Sequence, residues 1–198
     1  MAIFKPKSTG GGNKFLGVCE VSIESFKDRS GEFDWADLYL DVTVKPKESE
    51  YTRNIQIKGS FDKDSNGKIE GGSVLRRMYV FFEAIGCTAG LNVDGGWEDE
   101  KGDEIKDIAK YLNKNFLPSN GTYEPNMDYL GYFYKEQPKT PGGTAYVRVF
   151  TKVYRNQEEN KSKLKSDVDW MKSKGYLKEV TDVVTEKTEM SGSGLANL

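Results

Sequence analysis

Residues 35–44 read Trp-Ala-Asp-Leu-Tyr-Leu-Asp-Val-Thr-Val, with an apolar side chain at every second position. Ala36, Leu38, Leu40, Val42 and Val44 fall on one face; Trp35, Asp37, Tyr39, Asp41 and Thr43 fall on the other. A period of two belongs to an extended strand with one side buried, because successive side chains point to opposite faces. Such a strand needs neighbours to satisfy its backbone and a cover for its apolar face. The sequence supplies neighbours on both sides. Phe15–Phe26 alternates with Cys19, Val21 and Ile23 inward, and Arg53–Phe61 carries Ile55 and Ile57. Lys27–Gly31 and Lys45–Glu50 are short turn-rich connections, so the three strands form an antiparallel meander.

After the meander the period changes. Leu75, Met78, Phe82 and Ile85 recur at helical spacing, with Ser73 as the expected N-cap and Gly86 at the C-terminal stop. Residues 87–106 read as an irregular excursion, and Ile105–Asn115 as a short second helix with Ile105, Ile108 and Leu112 on one side. Pro118–Asn126 reads as loop. Tyr129–Lys135 and Thr144–Tyr154 form a hairpin across the proline- and glycine-rich Glu136–Gly143. A helix over Val168–Val180 would dock through Val168, Met171 and Leu177.

Three strands, a helix, an excursion and two strands define a mainly β fold with α elements. They match a five-stranded OB-like Greek-key barrel with a helix between strands three and four and a C-terminal helical extension. The rival is a β-sandwich, which asks for about seven short strands. The expected division is a flexible arm at 1–13, the OB-fold domain at 14–155, a charged, partly helical extension at 156–180 and a disordered tail at 181–198.

Composition narrows the chemistry. The 198 residues suit one core with appendages, and the formal net charge of −2 neither demands nor excludes a nucleic-acid partner. There is no histidine, which removes the commonest general base and the commonest transition-metal ligand. No catalytic constellation emerges, so the expectation is a protein without enzymatic activity or cofactor. Gly10-Gly-Gly-Asn-Lys14 lacks phosphate-loop spacing. Cys19 and Cys87 sit among apolar residues; free thiols in a reducing cytoplasm are expected, with a disulfide as the alternative. The N-terminus has no secretory pattern, and no apolar run reaches membrane-spanning length.

Asp62–Ser73, DKDSNGKIEGGS, imitates a calcium loop at Asp62, Asp64, Asn66 and Gly67. Position 12 of such a loop needs a bidentate glutamate, and here it is Ser73. The preceding residues alternate like a strand instead of a helix. The expected structure is a turn, with a weak calcium site helped by Glu70 as the alternative. The acidic run Glu98–Glu104 reads as a solvated loop before a metal site.

The last strand carries the functional signal. Ala145, Val147, Val149, Thr151 and Val153 suit a core, whereas Tyr146, Arg148, Phe150, Lys152 and Tyr154 alternate rings with cations on the other face. Unpaired bases stack on aromatic rings for about 1–3 kcal/mol each, while Arg and Lys meet phosphates. The partner strand adds Tyr132 and Tyr134 in one register, or Tyr129, Phe133 and Lys135 in the other. Arg53, Lys58 and Lys139 are further phosphate candidates. The opposing possibility is that these aromatics pack under the C-terminal segment or a second copy. Trp35 and Tyr39 are ambiguous, because Asp37 and Asp41 beside them oppose phosphate.

The strand pair from Phe15 to Val44, the helix ending Phe81-Phe-Glu-Ala-Ile-Gly86 and the aromatic hairpin Tyr129–Tyr154 resemble phage-encoded single-stranded DNA-binding proteins with an OB fold. The resemblance covers about residues 14–155. It implies sequence-tolerant binding of single-stranded DNA during replication and recombination in the host cytoplasm, without cofactor or membrane. It also implies replication or recombination proteins as partners, with a homo-oligomer possible. The family's acidic C-terminal tail is matched only loosely, since Asp182, Glu186 and Glu189 precede a Gly-Leu-Ala-Asn-Leu198 ending. The other class of function is a structural or assembly protein whose aromatic strand face meets another protein.

Overall fold

The computed structural model describes residues 15–47, 49–117 and 128–180. The expected arm at 1–13, the loop Pro118–Asn126 and the tail 181–198 with its acidic residues lie outside the described residues. The alternating segments form β1 (Gly17–Asp28), β2 (Leu38–Pro46) and β3 (Arg53–Gly59). A small hairpin of β4 (Asp62–Lys63) and β5 (Ile69–Gly71) leads to helix α1 (Ser73–Ile85). The excursion holds β6 (Gly90–Leu91), β7 (Trp97–Glu98) and β8 (Glu104–Ile105), then α2 (Ile108–Phe116). β9 (Tyr129–Lys135), β10 (Val147–Val149), β11 (Tyr154–Arg155) and α3 (Glu158–Ser173) follow.

The main sheet runs β10-β9-β1-β2-β3, all antiparallel, with β11 beside β9 beyond β10. Its ends curl together: Arg53 Nε of β3 donates to the carbonyl of Val147 on β10 at 2.9 Å. This is a nearly closed five-stranded barrel of OB-like order, with α1 between the third and fourth barrel strands and a helix added at the C-terminus. One sheet closing on itself sets the sandwich aside.

The interior follows the alternation. Leu40, Val42, Val44, Ile55 and Ile57 are buried, and α1 adds Val74, Met78, Phe81, Phe82 and Ile85 to the same core. The parity of β1 breaks once. Its register against β2 shifts between Ile23 and Ser25, so Ile23 and Phe26 both face inward although three positions apart. An extra residue in one strand does this, and it adds local curvature. Asn113 of α2 seals the strand beyond that point, accepting from the Phe26 amide at 2.9 Å and donating to its carbonyl at 2.8 Å.

The last strand is broken where a continuous one was expected. Val149 pairs with Phe133 but Tyr154 pairs with Leu130, so two residues are inserted between β10 and β11. An even insertion preserves the faces: Val147, Val149 and Val153 still pack on the main core.

The helices differ from expectation at their ends. Gly72, not Ser73, holds the N-cap position of α1, and no side chain caps it. Ile105 lies on β8 instead of a helix, and α2 is N-capped by Asp107, whose carboxylate accepts from the Lys110 amide. α3 begins ten residues earlier than Val168, because its buried row is Asn160, Leu164 and Val168 and only two of these are apolar. The helix ends at Ser173 instead of Val180, so Met171 packs from α3 and Leu177 from the segment after it.

Gly86 closes α1 at φ 75°, donating its amide to the Glu83 carbonyl while the Cys87 amide donates to that of Phe82. A Cβ there would lie 2.9 Å from Nε of Arg155, whose guanidinium caps the Ile85 carbonyl. Gly86→Ala is expected to lower the unfolding free energy by about 1–3 kcal/mol, read by urea denaturation.

Three hairpin turns share one construction. Asp64, Asn92 and Asp99 each accept backbone amides two and four residues on, with Gly67, Gly95 and Gly102 at positive φ on the fourth position. A type I turn followed by a left-handed glycine joins short strands in this way. Among the described residues no helix is long and apolar enough to cross a membrane.

Candidate nucleic-acid interface

Two patches of rings and cations lie on the outside of the barrel. The first is at the β9–β10 hairpin. Tyr146 is 61 % exposed. Arg148 is exposed and donates to Glu136 Oε2 at 2.9 Å, and Lys139 stands exposed on the connecting loop. Arg53 is half-buried, with its guanidinium 3.9 Å from the centre of the Tyr51 ring and Nη1 donating to the Thr52 carbonyl. Burial and then the neighbouring Arg148 charge push its pKa below the ordinary value. Two guanidiniums near one another, with only Arg148 paired to a carboxylate among the described residues, leave net positive charge at this end of β3. An open groove of about 270 Å³ runs between Pro138, Tyr146 and Arg148.

The remainder of the expected ladder is covered. Phe150 is 3 % exposed and packs with Leu130, Tyr132, Leu164, Val168 and Leu177. Tyr154 donates its hydroxyl to Asp167 at 2.7 Å, and Lys152 pairs with the same carboxylate at 2.5 Å. Burial, then the Asp167 carboxylate, raises the Tyr154 pKa. Tyr132 donates to Glu179 at 2.8 Å and accepts from Lys172 at 2.8 Å, while the Tyr134 ring is half-buried beside it at 6.2 Å. The expectation of an open face therefore holds at Tyr146 and Arg148 and is corrected at Phe150, Lys152, Tyr154, Tyr132 and Tyr134. The physical reason is α3. Leu164 and Val168 on α3, and Leu177 just beyond its end, need an apolar floor, and the outer side of β9–β11 is one.

The second patch was legible only in part. It lies on the β1–β2 connection and the outer face of β2–β3. Phe33 stacks on Tyr39 at 5.2 Å, and Trp35 stands 5.7 Å from Phe33 and 6.2 Å from Tyr39. Trp35 is 53 % exposed, whereas Tyr39 is buried beneath its neighbours. Cations lie on the rings: Arg29 is 4.9 Å from the Tyr39 centroid, and Lys58 is 5.1 Å from Tyr39 and 5.9 Å from Trp35. Such contacts are attractive because the ring face is negative. The register that sets Tyr39 opposite Lys58 builds this group. The nearby acids are largely engaged. Asp37 accepts from Lys63 at 2.6 Å and from the Phe61 amide at 2.8 Å, which lowers its pKa, and Glu32 pairs with Arg29 at 2.6 Å. Phe33 escaped the alternation reading because it sits in a turn. The spacing of Phe33, Trp35 and Tyr39 is the signal that could have found it.

The calcium-like loop is a turn. One oxygen of Asp64 is spent on the local backbone: Oδ1 accepts from the amides of Asn66 and Lys68 at 2.8 Å each. Those bonds, Lys68 foremost, lower its pKa. No group of three or more potential metal ligands occurs among the described residues. Cys19 and Cys87 are free thiols, and burial pushes both up to about 11.

Comparison of the chain with protein-family models, curated proteins and solved structures gave no match.

Proposed function

We propose that the chain is a sequence-tolerant single-stranded DNA-binding protein that acts without catalysis, in cytoplasmic DNA replication or recombination. The observation that carries this reading is the cluster of Phe33, Trp35 and Tyr39, with Arg29 and Lys58 on their faces, across β2–β3 of an OB-like barrel. That face and the loops at its two ends are where this fold type takes oligonucleotides. A strand lying along β3 would stack bases at Trp35 and Phe33, pass Lys58, and place phosphates at Arg53, Arg148 and Lys139 beside Tyr146. Replication or recombination proteins are the partners this role calls for.

Titration of the protein with oligo-dT, read by tryptophan fluorescence at several salt concentrations, tests it. Four phosphate contacts, at Lys58, Arg53, Arg148 and Lys139, give an expected slope of log affinity against log salt of about −3. Binding to duplex with none to single strands would reject the reading. The assembly alternative draws on Trp170 and Tyr176, 55 % and 69 % exposed with centroids 6.0 Å apart. An obligate oligomer by light scattering, without affinity for oligo-dT, would favour it.

A further inference from the structure

Among the described residues, one buried side-chain oxygen has no hydrogen-bond partner: Oδ1 of Asp41. The residue is 6 % exposed and lies on the outer face of β2, one same-face position beyond Tyr39. Lys27 of β1 and Gln56 of β3 stand opposite it in the sheet. Its other oxygen is 3.6 Å from Nη1 of Arg29, beyond hydrogen-bonding distance. Buried carboxylates are normally hydrogen-bonded, and leaving one without donors opposes folding. A position that keeps such a group calls for a donor that arrives from outside.

Arg29 indicates the shape of that donor. Its guanidinium is flat, lies 4.9 Å from the Tyr39 centroid and 5.3 Å from that of Phe33, and turns one nitrogen toward Asp41. A nucleobase stacked on the same rings would occupy the same footprint. To donate to Asp41 it must carry an amino group on that edge. Cytosine does, at N4, and carboxylates accept from it. Thymine sets a carbonyl oxygen there, which a carboxylate repels. Arg29 can yield its place, since about a third of its side chain is exposed and Glu32 already holds it from the solvent side.

We infer that Asp41 is a base-reading residue: a cytosine stacked on Phe33 and Tyr39 in place of Arg29 donates N4–H to the Asp41 carboxylate. This rests on the single-strand reading above and adds a base preference to it. Binding stays tolerant along the remainder of the strand and discriminates at this one position.

The test compares oligo-dC with oligo-dT on full-length protein at one salt concentration, for wild type and Asp41→Asn. An amide can accept from cytosine N4 and equally donate to thymine O4, so it keeps the shape and loses the choice. The ratio of the oligo-dT to the oligo-dC dissociation constant is expected to fall about five-fold or more in Asp41→Asn. Thermal stability should hold or rise, because the amide replaces a buried carboxylate that has one oxygen without a donor and only a 3.6 Å contact from the other to Arg29; a purely structural Asp41 would lower it and leave the ratio alone. An unchanged ratio overturns the inference while leaving single-strand binding standing. Failure of wild type to bind either strand overturns both. If Asp41→Asn does not fold, Arg29→Ala serves: it uncovers the carboxylate without touching β2 and should raise the ratio, and an unchanged ratio again overturns the inference.

Discussion

Leu164→Asp is expected to release α3 while the barrel stays folded. Leu164 is fully buried in a satellite cluster with Leu130, Tyr132, Phe150, Val168 and Leu177, separate from the main core under α1. Removing the apolar contacts of a buried leucine costs about 2–5 kcal/mol, and a carboxylate in the same place adds a desolvation penalty. Few other contacts resist. Asp167 pairs with Lys152 and Tyr154, and Lys172 with Glu179, at partly exposed positions where ion pairs contribute little. The barrel strands do not share this dependence, because their ladder and the α1 core lie elsewhere. Hydrogen exchange should therefore speed up across Glu158–Ser173 and remain slow in β1, β2 and β9. Unfolding of the whole chain would show instead that α3 is integral to the domain. The same variant separates the two aromatic patches. Affinity for oligo-dT is expected to stay unchanged if bases stack along β2–β3. A marked rise would place them on the uncovered Tyr132, Phe150 and Tyr154.

That separation marks the boundary of what the sequence could reveal. Alternation reports which side chains share a face, and it did so for β2 and for Val147, Val149 and Val153. It does not report what covers the opposite face. The outer side of the last strand is shielded by a helix whose buried row is Asn160, Leu164 and Val168. With a polar residue in that row and charges around it, the helix offers almost no periodic signal, so the rings beneath it read as open. The bulge near Glu24 is similarly silent: nothing in the residues announces that Phe26 turns inward beside Ile23. The second patch had the opposite difficulty. Trp35 and Tyr39 were visible, but Asp37 and Asp41 beside them argued against phosphate. Only the pairing of Asp37 with Lys63, from the next hairpin, removes part of that objection. Ion pairs between residues distant in sequence cannot be read from periodicity.

The double variant Phe33→Ala, Trp35→Ala is expected to give the largest loss of single-strand affinity. Each base that stacks on an aromatic ring contributes about 1–3 kcal/mol, so two lost platforms imply a fall of roughly thirty-fold to twenty-thousand-fold in binding. Stability should change far less. Trp35 is more than half exposed, and Phe33 lies in a turn outside the buried core. Tyr39 is a poorer choice for this test, because it is buried and its removal would disturb the fold as well as the interface. The tryptophans give the experiment an internal control. Trp97 packs against Phe82 at 6.0 Å, and Trp170 is on α3, far along the chain from β2. If bases stack at the β1–β2 connection, the quenching seen with oligo-dT belongs to Trp35, and Trp35→Phe should abolish most of it while retaining most of the affinity. Arg53→Ala works at the other end of the track: it removes a charge but no stacking platform, so it should lower the salt slope by about 0.7 and leave quenching at saturation intact. A ring variant that loses affinity at constant salt slope, beside a charge variant that loses slope at constant quenching, would resolve the two halves of the interface. Full affinity in the double ring variant would show that bases do not stack on Phe33 and Trp35, the two rings that cover Tyr39 on this face.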